Sequence, residues 1–516
     1  MNQTVTRKLT FAVMVCLVFV AGMESAARYI EGRLTRKVPT ERASGWQATF
    51  LASLFSWHEP DSDLLWRFRA NLDNEFIRTN SIHLLGDEIS RKKQNTFRVL
   101  LLGDSSPVGL GLKNHELAFG ALLERSLENS FPDSIAVEII NASVSGYTSE
   151  QLCRFLDTDG RRLDPDAIIL YCGNNDASIS GYRSDRDLFE DQRLVALRNL
   201  SAKLATYRLL RGCYASVSGG EESGGADLVR RVTEAQFAEN IKSIASACLQ
   251  KGVPLYICKP PVPRLWPAGL QFKIFTRLTD EQGQLLFPHV MRQLVGRELK
   301  YCISAERFDS LYGIGDKITR EVFASAEVDN MTPRDAIADY SSRLLIDSCS
   351  VIDLNNLAVA LWQDGQYEQA DSLFRSAYRH YQEKYKDMSD PTIQAASSPI
   401  LYNLGINLLS LENGPHATEI AEGGEAELFL DSALKADFFS LRIKPEYLNA
   451  IDRLNRADYV RVVDLPRLFA ASGSEKLFID HCHPTAEGHQ LIASLLHEMI
   501  TRDFLADKSV AAMDSR

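Results

Sequence analysis

From residue 97 onward the chain alternates short apolar runs with longer stretches of helical period. Phe97-Arg-Val-Leu-Leu-Leu102, Ala136-Val-Glu-Ile-Ile140 and Ala167-Ile-Ile-Leu-Tyr-Cys172 have strand length and few polar positions. A helix is predicted over 116–130, between the first two. A second helical stretch, 235–251, is closed by Gly252 and leads into Pro254-Leu-Tyr-Ile-Cys258, which stops at Pro260-Pro261. A fifth strand is predicted at Val460-Arg-Val-Val463. Strands that are apolar on both sides and separated by helices belong to a parallel sheet covered on both faces, an α/β fold.

Between the fourth and fifth strands, over 261–457, only helical period remains, and the stretch is too long to be a loop. It predicts an all-α insertion. Within it Asn356-Leu357-Ala358, Gly365, Tyr367, Ala370, Phe374 and Ala377 fall at the small-and-aromatic spacing of a tetratricopeptide-like (TPR-like) hairpin. A weaker copy starts at Tyr402-Asn403-Leu404-Gly405 and, after a break at Gly423-Gly424, continues over 425–436. A free-standing solenoid normally needs three repeats. One good and one degenerate hairpin therefore predict a lid or shoulder on the α/β core and a surface for a protein partner; an ordinary helical pair is the competing reading.

Residues 29–95 are polar and weakly periodic, a stalk or lead-in layer, and His58, Glu59, Asp61 and Asp63 read as an exposed acidic turn rather than a metal set. At the N-terminus Arg7 and Lys8 precede a 15-residue apolar run, Leu9 to Met23, that ends at Glu24. That length is at the top of the range for a cleaved signal core and short of the roughly 20 residues of a spanning helix. Ser25-Ala26-Ala27 suits a signal peptidase, whereas continuing the helix through Ala26-Ala27 makes 1–28 an uncleaved anchor. The anchor is preferred, with secretion after cleavage as the alternative. A buried cytosolic helix is disfavoured because the run has no polar face.

A formal charge of −11 puts no basic field on the molecule and argues against a nucleic-acid partner. The nine cysteines are odd in number and scattered, with no pair at metal-ligand spacing, so they predict neither a zinc site nor a disulfide framework. With 45% hydrophobic and 24% charged residues the chain is globular rather than disordered.

Candidate chemistry sits where strands end. Ser105 follows the first strand in Gly103-Asp104-Ser105, and ligand sites of open parallel sheets form at the carboxyl ends of strands. A serine hydroxyl needs a base, and the base needs an orienting acceptor. Both are available near the other end of the chain, where Asp480 and His483 lie three apart on a short turn before an apolar helix. His483 is read as base and Asp480 as its partner. The second and third strands end in polar loops, 141–148 and 173–176, from which the Gly146 N–H and the Asn175 amide can join the Ser105 N–H as oxyanion donors. His481 and His489 are read as structural. A metal centre over 480–489 is disfavoured because residues 481 and 483 would not face one site on a helix and no second ligand cluster appears. Neither a dinucleotide nor a P-loop fingerprint fits Gly103, Gly109 and Gly111.

Four motifs in order, Gly103-Asp104-Ser105, Asn141 through Gly146, Gly173-Asn174-Asn175-Asp176 and Asp480-x-x-His483-Pro484, resemble the marker blocks of the SGNH, or GDSL-like, hydrolases. The resemblance covers 96–260 and 458–505. It implies a flavodoxin-like three-layer fold with a five-stranded parallel sheet, Ser105 as nucleophile, His483 as base, Asp480 as orienter, Ser105, Gly146 and Asn175 as oxyanion donors, and no cofactor or metal. Ser106 departs from the Leu or Phe common in the family, and the helical insertion is no part of the minimal fold. The anchor and lead-in look like those of membrane-tethered bacterial members facing the periplasm, some of which add or remove acyl groups on surface polysaccharide. The expected activity is hydrolysis or transfer of an acyl ester, with O-acetyl groups of a surface glycan as a candidate substrate; a catalytically idle envelope scaffold working through the TPR-like helices is the alternative.

Overall fold

A computed structural model describes residues 23–26, 28–29, 57–89, 95–181, 183–191, 229–269, 299–303, 305–312, 331–387, 396–437, 440–455 and 459–514. Apart from Met23, the apolar run predicted as an anchor lies outside them, and no helix among the described residues is long and apolar enough to cross a membrane. The strands are β1 (His58–Asp61), β2 (Leu65–Phe68), β3 (Thr96–Gly103), β4 (Ala136–Asn141), β5 (Ala167–Tyr171), β6 (Ile179–Gly181), β7 (Val229–Arg230), β8 (Leu255–Lys259) and β9 (Val460–Asp464).

All five apolar runs become neighbours in one sheet, ordered β4-β3-β5-β8-β9 and parallel throughout. All five residues of β5, Ala-Ile-Ile-Leu-Tyr, are buried, as a central strand covered on both faces requires. Alternation along β3 sends Val99 and Leu101 to one face and Leu100 and Leu102 to the other. The first face is covered by the helices Phe119–Glu128 and Ala486–Asp514 through Phe119, Leu123, Leu127, Ile492 and Leu496. The second is covered by the helices Ser149–Asp157 and Glu234–Lys251 through Leu152, Phe155, Phe237, Ile241 and Ile244. The chain therefore makes a three-layer α/β sandwich. It runs outward from β3 to β4 and then crosses back to β5, so the strand order reverses between β3 and β5, the place where such sheets bind ligands.

Residues 57–89 are no stalk. Trp57, Leu64, Phe68, Ile77 and Leu84 are buried in the second core face, and the cluster read as a turn forms β1 of an antiparallel hairpin with β2. Arg67 on β2 pairs with Glu59 at 3.0 Å and with Asp61 at 3.3 Å, which accounts for the acidic residues there.

The helices of the insertion have their own core, built from residues between Leu265 and Ala433. The helices Val351–Gln363 and Tyr367–Tyr385 pack as one pair and Ser398–Asn413 and Glu425–Ala436 as another. Asparagines seat the segment 299–303 between them. Asn356 Oδ1 accepts from the Lys300 N–H (2.9 Å), Asn403 Oδ1 accepts from the Cys302 N–H (2.8 Å), and Asn403 Nδ2 donates to the Lys300 carbonyl (2.8 Å). The helix Pro445–Asp452 falls within the stretch predicted as insertion, but it buries Tyr447, Ala450 and Ile451 in the core of the α/β sandwich. Seven of the nine cysteines are among the described residues, and all seven are free.

Candidate active site

At the end of β3 the chain turns sharply into the short helix Ser105–Val108. Gly103 permits the turn, since a Cβ there would collide with Pro107 and lie 3.0 Å from the Tyr171 carbonyl oxygen. Asp104 caps the helix, its Oδ1 accepting from the Ser106 N–H at 2.9 Å. Burial pushes the Asp104 carboxyl up to about 6, outweighing the hydrogen bond from Ser106 and the nearby His483.

The residues 480–483 reach this corner from the far end of the sequence. Asp480 Oδ1 accepts from the N–H groups of Cys482 and His483, both at 2.9 Å, so the carboxylate is fixed by its own turn. Its Oδ2 lies 2.8 Å from His483 Nδ1, and His483 Nε2 lies 2.8 Å from Ser105 Oγ. The geometry assigns the Nδ1 proton to the carboxylate side and leaves Nε2 as an acceptor facing the serine hydroxyl. Burial disfavours a charged imidazole, but the adjoining Asp480 carboxylate outweighs it and holds His483 well above its ordinary value. Asp480 is buried too, yet His483 and His481 beside it and the hydrogen bonds it accepts hold it well below the usual carboxylate range. Ser105 and His483 keep only 9% and 5% of their surface exposed, a site largely shielded from water.

Two further histidines in this region differ in kind. His489 Nδ1 accepts from the Phe119 N–H at 3.1 Å, serving as the cap that Ala118 cannot provide, and burial pushes its pKa down to about 3. His481 is also buried and pushed down to about 4, with its ring 5.8 Å from that of Trp266. Asp480, His481 and Cys482 offer three ligand atoms within 4.8 Å of one another. The carboxylate is already committed to His483 and the turn, and burial pushes the Cys482 thiol up to about 11, so the cluster is a poor cation site.

The loops after β4 and β5 lie beside Ser105, because their strands flank β3. Gly146 has φ +83°, in a turn closed by the Tyr147 N–H donating to the Val144 carbonyl at 3.1 Å. Asn175 Nδ2 donates one hydrogen to the Tyr147 carbonyl at 3.1 Å, leaving the other for a ligand. Among the described residues, the Ser105 and Gly146 N–H groups find no acceptor. Asp176 is used structurally: it accepts from Ser149 N–H (2.9 Å) and Ser149 Oγ (2.5 Å), and its burial raises its pKa to about 7.

Sequence patterns did not single out the residues around this constellation. Trp66 of β2 donates its indole N–H to the Ser145 carbonyl at 3.1 Å, and Arg231 donates to the Gly146 carbonyl at 2.6 Å. From the insertion and its edge, Ile443 packs its side chain where a Gly173 Cβ would stand and donates its N–H to Asn174 Oδ1 at 3.0 Å. Trp266 sits between His481 and the rings of Phe308 and Tyr312. Each such contact joins residues far apart in the chain, so local pattern carries no trace of it.

A hydroxyl, an imidazole and a carboxylate in line, beside free N–H donors, can carry out acyl transfer through a covalent intermediate. Residues 101–286 match the model of the GDSL-like lipase/acylhydrolase family. No curated protein matches the chain. Similar solved structures include the lipase/acylhydrolase from Enterococcus faecalis, at 20% identity over 32% of this chain and 57% of that one, with a TM-score of 0.19. Others are the psychrotrophic esterase EstA from Pseudoalteromonas sp. (17% identity, 39% and 80% of the chains, TM-score 0.20) and a GDSL-like lipase from Bacteroides thetaiotaomicron (14%, 33% and 52%, 0.17). The family match runs from the end of β3 through β8 and takes in the loops carrying Ser105, Gly146 and Asn175, so over this region the chain is similar to the GDSL-like lipase/acylhydrolases.

Proposed function

We propose that the protein is a serine esterase in which Ser105, His483 and Asp480 form the catalytic triad. The observation that carries this reading is the unbroken line from Asp480 Oδ2 to His483 Nδ1 and from His483 Nε2 to Ser105 Oγ, each step 2.8 Å. As Ser105 Oγ bonds to the acyl carbon, His483 Nε2 takes the hydroxyl proton and Asp480 stabilises the imidazolium that results. The N–H groups of Ser105 and Gly146 and the amide of Asn175 hold the oxyanion. His483 returns the proton to the leaving alcohol as the C–O bond breaks. Water, activated by the same imidazole, then releases the acid from Ser105; an acceptor sugar hydroxyl in place of that water gives acyl transfer with the same residues.

The substrate is a short acyl ester, and O-acetyl groups on a surface glycan are the candidate. Side chains from the insertion and its edge support a small acyl site, with Ile443 against Gly173 and Trp266 against His481. The N-terminal apolar run supports a catalytic unit held at the outer face of a bacterial inner membrane. The test is turnover of p-nitrophenyl acetate by the purified protein and labelling by a fluorophosphonate probe. Ser105→Ala is expected to abolish labelling and to lower turnover by at least about 10³-fold; unchanged turnover in that variant rules the triad out. Faster turnover of p-nitrophenyl octanoate than of the acetate would overturn the short-acyl reading.

A further inference from the structure

Trp66 comes from the β1–β2 hairpin, outside the region matched by the family, yet its side chain ends at the proposed oxyanion site. Its indole N–H donates to the carbonyl of Ser145 at 3.1 Å. That carbonyl and the Gly146 N–H belong to the same peptide unit, which is trans and planar, so the two bonds point in opposite directions. Fixing the carbonyl toward Trp66 therefore fixes the Gly146 N–H away from it. A hydrogen bond accepted by the carbonyl also polarises the amide and makes its N–H a better donor.

The rest of the neighbourhood prevents this unit from rotating. The Trp66 ring lies against the Gly146 Cα, where an added Cβ would stand 3.3 Å from Cζ2. The next peptide is held by Arg231, whose Nη1 donates to the Gly146 carbonyl at 2.6 Å. Arg231 is itself held by buried Asp185 at 3.1 and 2.7 Å, by Gln151 at 3.1 Å, and by stacking over the Trp66 ring, 5.3 Å from its centroid. Tyr147 closes the circle, its hydroxyl donating to the Trp66 carbonyl at 2.7 Å.

We infer that Trp66 is a positioning residue for catalysis: its indole N–H, backed by Arg231, aims the Gly146 N–H at the oxyanion. The inference rests on the esterase reading above. It makes the hairpin part of the catalytic apparatus, through a residue that touches no substrate.

Trp66→Phe removes the N–H and keeps most of the ring. Losing an oxyanion donor outright costs about 10²–10³ in kcat, so misaiming one is expected to lower kcat by about 10- to 100-fold. KM should stay within about twofold, and the affinity for a boronic acid that forms a tetrahedral adduct on Ser105 should fall in parallel with kcat. If the phenylalanine variant fails to fold, benzothienylalanine at position 66, with sulfur in place of N–H, keeps the shape. Turnover per titrated active site equal to wild type in either folded variant overturns the inference. So does a rise in KM with kcat unchanged. If the wild type shows no Ser105-dependent turnover, the esterase reading falls first and this inference with it, an outcome distinct from a normal wild type with an unaffected variant.

Discussion

Among the buried polar clusters of the described residues, two are used in opposite ways. In the helical insertion, Asn355, Asn356 and Asn403 bind one another and the main chain of Lys300 and Cys302, donor matched to acceptor. At the carboxyl edge of the sheet, Asp480 and His483 are equally buried, but their chain of hydrogen bonds ends on Ser105, and the Gly146 and Ser105 N–H groups beside it find no acceptor among the described residues. A network closed on itself stabilises a structure and has nothing left over for chemistry. A network with a reactive end is poised for a substrate to complete it.

The sharpest way to break the contrast is Asp480→Asn. An amide at that position cannot hold the imidazolium, and kcat is expected to fall by about 10³–10⁴-fold, measured with p-nitrophenyl acetate, while Tm changes far less than activity. The pH profile sharpens it further. His483 must be neutral to accept the Ser105 proton, and the adjoining Asp480 raises its pKa, so the neutral form is reached only at higher pH. On the acid side kcat/KM should therefore rise about tenfold per pH unit and level off at an apparent pKa above 6.5, the ordinary histidine value. In Asp480→Asn burial still opposes the charged ring while the carboxylate that favoured it is gone, and the midpoint of whatever activity survives should move down. The smallest effect on catalysis belongs to the closed network. Asn403→Ala takes the Asn403 side chain from the Cys302 N–H and removes one of the two amide donors to the Lys300 carbonyl, and is expected to cost about 1–3 kcal/mol in chemical denaturation. Its kcat should equal that of the wild type; a tenfold loss of kcat in a folded Asn403→Ala protein would join the two clusters into one.

The same contrast explains what could be read from the chain. The five core strands are visible because each is a nearly unbroken apolar run, and a parallel sheet buried on both faces leaves no other use for one. Ser105, Asp480 and His483 are visible because each lies in a short motif at the end of such an element, and the structure brings the three within hydrogen-bonding distance. The β1–β2 hairpin was hidden: its strands have four residues each, and Glu59, Asp61 and Arg67 give them the polarity of a turn. The helix Pro445–Asp452 shows an apolar side in its sequence, but periodicity reveals that a helix has a buried face and not which body covers it. Trp66 and Ser145 lie 79 positions apart, and only the folded chain relates them.

The hydroxyl of Ser105 and the ring of His483 are separated by 378 positions. During synthesis Ser105, the loops beside it and four of the five sheet strands emerge long before His483, which follows β9 and the whole helical insertion. A nascent chain of even 470 residues holds Ser105 without His483 or Asp480. On the proposed mechanism the order of the sequence thus acts as a timer, keeping the growing polypeptide chemically silent toward esters until His483 has been added.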